Sequence, residues 1–311
     1  MLNHFVTSVN TRRKRFKEMN WRQIKDRIAG KSMLLAVAFA NSIVLLIGLG
    51  LFIKSMPILS EKSVFHLLLS STWHPLKGEY GFYPFIIGTL EVTAIAMILA
   101  VPVCLLSAIY LSEYAHHRFR EFARVVIDIM AAIPSVIYGL WGVIVVVPFV
   151  RALGNTLDIP TTGYSLLAGG IILAIMVSPI IISVSVEVLR TVPVQARETA
   201  LALGTTKWEA IKHVVLRSGL HGILSAIVLG FARAFGETIA VLMIVGNVPK
   251  VPTSIFDPAY PLPALLANNY GEMMSIPLYN SALLLSALIL LLIVSAFNIT
   301  AHLTLMRIER R

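Results

Sequence analysis

The sequence predicts an all-α integral membrane protein with six transmembrane helices. Two observations carry this: 57% of its residues are hydrophobic against 14% charged, with a mean hydropathy of +0.81, and the apolar residues fall into six long runs. The runs lie at about 33–53, 86–112, 125–150, 165–189, 219–246 and 279–306. Each meets the roughly 20-residue length of a membrane-crossing helix. An even number of crossings puts both termini on one side.

The first run is too long for a secretory signal and ends at "LFIKSMP" without small-residue cleavage chemistry, so it reads as a retained span. Basic residues set the orientation. Segment 1–31 holds nine Lys or Arg, 113–124 three, 190–217 five and the C-terminal tail three, whereas the connections at 55–85, 151–164 and 247–278 together hold four. The positive-inside rule makes the first set, and both termini, cytoplasmic. The net charge of +10 is then topology rather than a nucleic-acid signal, and the basic N-terminal segment is expected on anionic lipid headgroups. The second to sixth runs form the expected core, 86–306. Segment 1–31 precedes a first span and its external connection (32–85), and 307–311 is a short tail.

The external connections differ in character. Residues 247–278 carry six prolines, too broken to span and too long for a simple turn, which suits a loop that covers an opening or meets a partner. Residues 55–85 are aromatic-rich and read as an interfacial belt of Trp and Tyr. No metal site is expected: the chain has one cysteine, Cys104, and the adjacent His116 and His117 read as interfacial. The string Gly30-Lys31-Ser32 has Lys25 where a phosphate-binding loop needs glycine, so no ATP site is expected in this chain.

Among the connections expected in the cytoplasm, 190–218 has the clearest grammar. A helix over about 194–203 is predicted to end at Gly204, which can take the left-handed cap conformation. Thr206 and Glu209 then fit a capping box that starts a second short helix carrying Trp208, Ile211, Val214 and Val215. Glu198, Thr199 and Ala200, followed by Gly204 and by Val214, Val215 and Leu216, resemble the "EAA" loop of importer-type ABC permeases. Thr199 stands for the middle alanine and Arg217 for the usual proline. In that family the loop docks on a cytoplasmic ATPase.

Two further strings, "DIMAAIPSVIYGLWG" (128–142) and "GFARAFGETIAVLMIVGN" (230–247), resemble the PstC-type permease subunit of phosphate ABC importers more than its companion, PstA. The resemblance runs from about residue 84 to the C-terminus. It implies a type I ABC importer permease (MetI-like) fold in a bacterial inner (plasma) membrane. The implied partners are a PstA-type permease, two ATPase subunits that use ATP and Mg, an external phosphate-binding protein and inorganic phosphate. It also implies a transport subunit without catalysis of its own.

Arg233 and Glu237 lie in the fifth run. If 219–246 is one helix, Arg233 sits near its midpoint, about fourteen residues of about 1.5 Å each from the start, and Glu237 lies one turn outward on the same face. A central charge costs on the order of 3 kcal/mol, so such residues face protein or water. Arginine's planar donor fork suits an oxyanion, and the resemblance implies that this Arg and Glu act in phosphate translocation. A structural ion pair explains the same two residues. Ala226, Gly230, Ala234 and Thr238 recur every four residues as a small-residue stripe, for packing inside this chain or against a second permease. Two functional alternatives stay open: a permease for another tetrahedral oxyanion such as sulfate or molybdate, and a membrane scaffold that signals phosphate status.

Overall fold

The computed structural model describes the backbone of residues 2–271 and 276–309, and the side chains of Trp21 and of residues 25–271 and 276–307. The side chains of most of the basic N-terminal segment, part of the 247–278 connection and the end of the 307–311 tail therefore lie outside the described residues. The chain divides into two units, residues 1–53 and 54–311.

The first unit is a single helical stretch belonging to α1 (Leu2–Glu61). Its apolar side chains from Met33 to Leu49 are exposed, as a helix that meets lipid requires.

The second unit begins with the end of α1, α2 (Val64–Leu69) and a small antiparallel hairpin, β1 (Trp73–His74) and β2 (Glu79–Tyr80). Next come α3 (Tyr83–Ile109), extended by a π-helical turn through Tyr114, and α4 (His117–Ala132). A short α5 (Ser135–Trp141) leads through another π turn, Gly142–Val146, into α6 (Val147–Thr156). Then follow α7 (Leu166–Thr191), α8 (Val194–Ala202) and α9 (Lys207–Ala210), which runs through a third π turn into α10 (Leu216–Gly236). The chain finishes with α11 (Ile239–Ile244), α12 (Leu262–Asn269) and α13 (Pro277–Glu309).

Six helical stretches among the described residues are long and apolar enough to cross a membrane: 25–61, 83–114, 135–156, 166–191, 207–236 and 277–307. The count agrees with the sequence, but two boundaries do not. The run 125–150 is not one helix. Ile133 and Pro134 are extended, because proline has no N–H to give and holds its predecessor out of the helical region. Residues 117–132 become a separate amphipathic helix, and the third span moves to 135–156. The fifth span likewise moves. It starts at Lys207, so the expected second short helix of the 190–218 connection is fused to it, and it ends at Gly236 rather than 246.

The core is built from α3, α7 and α10. Gly170 allows α3 and α7 to approach, since a Cβ there would overlap Ile95. The stripe on α10 is used within this chain. Ala226, Gly230 and Ala234 are buried, and a Cβ on Gly230 would stand 2.7 Å from Ile181 of α7 and 3.6 Å from the Met97 methyl of α3. Thr238 lies past the end of α10 and does not belong to that stripe.

The segment 247–261 folds back as a packed plug. Carbonyls of Asp257 and Ile255 accept the N–H groups of Leu166 and Leu167, while Ser165 Oγ accepts that of Ala168. The first turn of α7 thus finds acceptors for donors that have none inside the helix. Phe256, Ala259, Leu262 and Leu265 are buried beneath it. The aromatic residues of 73–85 do not form the expected belt. Trp73 gathers Tyr80, Phe82, Phe85 and Tyr279 around it at centroid distances of 4.8–6.0 Å, and all four partners are buried. Their area is used to pack the hairpin on α3 and α13.

Candidate functional site: an interrupted helix and its basic-end lever

Arg233 lies in the last turn of α10, and the helix stops three residues later at Gly236. Glu237 is extended (φ −73°, ψ 124°), so it does not continue Arg233's helical face. The cause is local. Glu237 Oε1 accepts the Ala240 N–H at 3.4 Å, and the Thr238 hydroxyl donates to Gly236 O at 3.2 Å. These bonds offer the backbone an alternative to the helical ladder, and Glu237 thereby caps α11.

Arg233 is exposed and Glu237 half-buried. Arg233 forms no ion pair with Glu237; the one ion pair among the described residues is elsewhere. The Arg233 guanidinium makes no hydrogen bond or ion pair among the described residues, while the Tyr138 hydroxyl of α5 donates to Met130 O at 2.8 Å. Glu91 of α3 also forms no pair with Arg233. Its Oε2 is buried without a hydrogen-bond partner among the described residues.

The strings 128–142 and 230–247 meet face to face. A Cβ on Gly139 would lie 2.6 Å from Met243 Sδ and 3.3 Å from Ala240 Cα. One on Gly142 would overlap Ile244 Cδ1 and stand 2.9 Å from Ile172 Cγ1. The two glycines let α5 seat directly on α11, so the break after Arg233 is bounded by α5, α7 and α11. Non-helical backbone at membrane depth needs protein or a water-filled path around it.

At the opposite, basic end, α8 ends as the sequence predicts. Gly204 has φ +85°, Thr205 Oγ1 donates to Ala200 O at 2.8 Å, and the Thr206/Glu209 capping box is formed. Glu198, Thr199 and Trp208 are exposed and Ala200 is buried. Val194, Leu201 and Leu203, the last 81% exposed, leave the outer surface of this lever apolar. Arg197 holds it in place by donating to Leu189 O, Val192 O and Glu113 Oε1 at 2.6–2.9 Å. Lys207 Nζ adds a contact 4.3 Å from the Tyr114 ring centroid. Sequence reasoning did not find Arg197 or Glu113. No local spacing links residues so far apart in the chain.

The pattern of the binding-protein-dependent transport system inner membrane component matches residues 100–311. The chain belongs to this family. Among its relatives, the phosphate transport system permease protein PstC of Xylella fastidiosa (strain 9a5c) is 37% identical over 257 residues, covering 78% of this chain and 79% of the relative. That of Mesorhizobium japonicum is 35% identical over 280 residues, covering 85% of each. The probable ABC transporter permease protein YqgH of Bacillus subtilis is 35% identical over 252 residues, covering 79% of this chain and 80% of the relative.

Solved structures of the same fold include a bacterial alginate ABC transporter in complex with a pentasaccharide-bound periplasmic protein (TM-score 0.61, 13% identity, 90% of this chain and 95% of that one). The MetNI methionine ABC transporter in an inward-facing form also matches (TM-score 0.55, 15% identity, 76% and 99%). The MetI-like fold expected from the sequence is therefore present. Membership in the family makes this chain a multi-pass component of the inner membrane.

Proposed function

We propose that this chain is the permease subunit of an ATP-driven importer of inorganic phosphate, and that the anion passes Arg233 at the break between α10 and α11. The observation that carries this is a guanidinium without a partner among the described residues, at an interrupted membrane helix and within a string that resembles phosphate permeases. The PstC relatives support phosphate as the solute.

Arginine stays charged at any working pH and presents two parallel donors to a tetrahedral oxyanion. Because Glu237 is occupied with the Ala240 N–H, it leaves Arg233 available to the solute and can accept a hydrogen bond from a protonated phosphate oxygen. A transient site is what conduction requires, since tight binding would trap the ion. The exposed apolar surface of α8 and α9, with Glu198 and Thr199, is the proposed seat of a separate ATPase that binds ATP and Mg. This chain is then no enzyme. A PstA-type permease completes the path and an external phosphate-binding protein delivers the solute, with the basic ends of the spans cytoplasmic.

Radiolabelled phosphate uptake in cells co-expressing these partners tests the reading, comparing wild type with Arg233→Gln at equal membrane levels and equal ATPase co-purification. Loss of uptake with assembly intact is expected. Unchanged uptake sinks Arg233 as part of the path, and competition by sulfate or molybdate at equal strength sinks phosphate as the solute.

A further inference from the structure

At the basic end of the spans, α4 leans on α7 and leaves two adjoining spaces. The first is a polar cavity of about 140 Å³ lined by Arg120, Arg124 and Asp128 of α4 and Ser183, Glu187 and Arg190 of α7. The second is an open apolar groove of about 520 Å³ between α3 and α4, lined by Leu106, Tyr110, Phe119, Phe122 and Val126. Leu111, Ile127 and Ile182 line both, so the two spaces adjoin at these three side chains.

The junction is held by Arg120, whose guanidinium donates to the carbonyls of Leu111, Ser112 and Ala115 at 2.9–3.3 Å. That bond set ties the first turns of α4 to the end of α3. The remaining charges have no such partners. Arg124, Asp128, Glu187 and Arg190 make no ion pair or side-chain hydrogen bond among the described residues. Helix α4 itself buries no residue, although one of its faces is aromatic and aliphatic.

We propose that this pair of spaces binds one aminophospholipid, its zwitterionic headgroup in the polar cavity and an acyl chain in the groove. Arg124 and Arg190 match the phosphodiester, and Asp128 and Glu187 match the ammonium. Recesses with basic side chains at the ends of membrane helices bind lipid headgroups, and here the two carboxylates balance Arg124 and Arg190, which suits a zwitterion rather than an anion. Free phosphate shares the phosphodiester's chemistry but fits less well. Two carboxylates line the same cavity and would repel a small dianion, and free phosphate leaves the adjoining groove uncovered. The inference does not depend on which solute the chain transports.

The test is lipid mass spectrometry on the assembled complex, purified with its partners, washed in detergent and freed of phosphate. Wild type is expected to retain phosphatidylethanolamine in stoichiometric amount. Arg124→Gln combined with Arg190→Gln is expected to retain about tenfold less, the change that loss of a charge-assisted hydrogen bond makes. Ala123→Trp, which fills the groove and keeps every charge, is expected to lose it as well and decides the matter if the arginine variant fails to assemble. Equal retention in every variant that assembles overturns the site. So does preferential retention of anionic phosphatidylglycerol, or displacement of the lipid by millimolar inorganic phosphate.

Discussion

Arg197 of α8 and Glu113, just beyond α3, are joined at 2.9 Å, with side chains 20% and 9% exposed. Arg197 also donates to the carbonyls of Leu189 in α7 and of Val192 just past it, so this one side chain ties α8 to the ends of both α3 and α7. Removing one partner of a pair this buried leaves the other charge uncompensated. Arg197→Met is expected to cost about 3 kcal/mol, read as a lower unfolding temperature of the purified complex. It is also expected to uncouple ATP hydrolysis from uptake. Arg197→Met with Glu113→Gln should lose less than the sum of the single changes. Additive losses would mean that the two side chains do not act as a pair.

The seat of α5 on α11 rests on Gly142. A valine there must displace Ile244 and Ile172, and overpacking of this kind costs about 1–3 kcal/mol. Gly142→Val is expected to destabilise the protein in detergent and to weaken uptake. Ile244→Ala in the same chain should restore part of the stability by opening the space that the new side chain needs. Failure of that rescue would show that the strain falls on backbone rather than on Ile244.

The six spans and the α8 turn were legible because each rests on a local cause: apolar length, a positive-φ glycine, a capping box. Arg233 was legible as a charge that lipid does not tolerate. Its setting was not, because the break at Glu237 has no proline to announce it. Only Gly236 and the polar side chains of Glu237 and Thr238 hinted that the helix could end there. Pro134 did announce the other break, yet the hydropathy of 125–150 concealed that two helices share the run. The bonds joining Arg197 to Glu113, and Asp257 to the start of α7, link distant parts of the chain and follow from the fold alone.

Asp257 is expected to give the packed segment 247–261 a pH dependence. Its carboxylate accepts the Thr253 N–H, the Thr253 hydroxyl and the Ser254 N–H at 2.8–3.0 Å, and these bonds hold it below the usual carboxylate range. A depressed pKa means that the unfolded loop binds a proton more readily than the folded one. The stabilisation is therefore complete above the ordinary aspartate range and is lost as the pH falls through the folded value. Hydrogen exchange at Leu166 and Leu167, whose N–H groups bond to this loop, should lose protection on acidification in wild type. In Asp257→Asn that acid-dependent loss should be reduced, and an unchanged acid profile would assign the titration elsewhere.

Gly204 fixes the angle between α8 and α9. At φ +85° a side chain is strained by about 1–2 kcal/mol even in open space, and nothing lies within 4 Å of a Cβ built there. Gly204→Ala therefore adds no contact and tests the turn alone. Its expected effect is a loss of about 1 kcal/mol or more, or else a re-angled α8 that loses ATPase co-purification while the spans keep their thermal stability. Thr206→Ala removes the cap of α9 instead, at a cost of about 1 kcal/mol, and leaves the turn conformation available. If α8 and α9 are the ATPase seat, the glycine variant should impair ATPase retention more than the threonine variant. Equal retention in both would mean that the angle set at Gly204 is not what the ATPase reads.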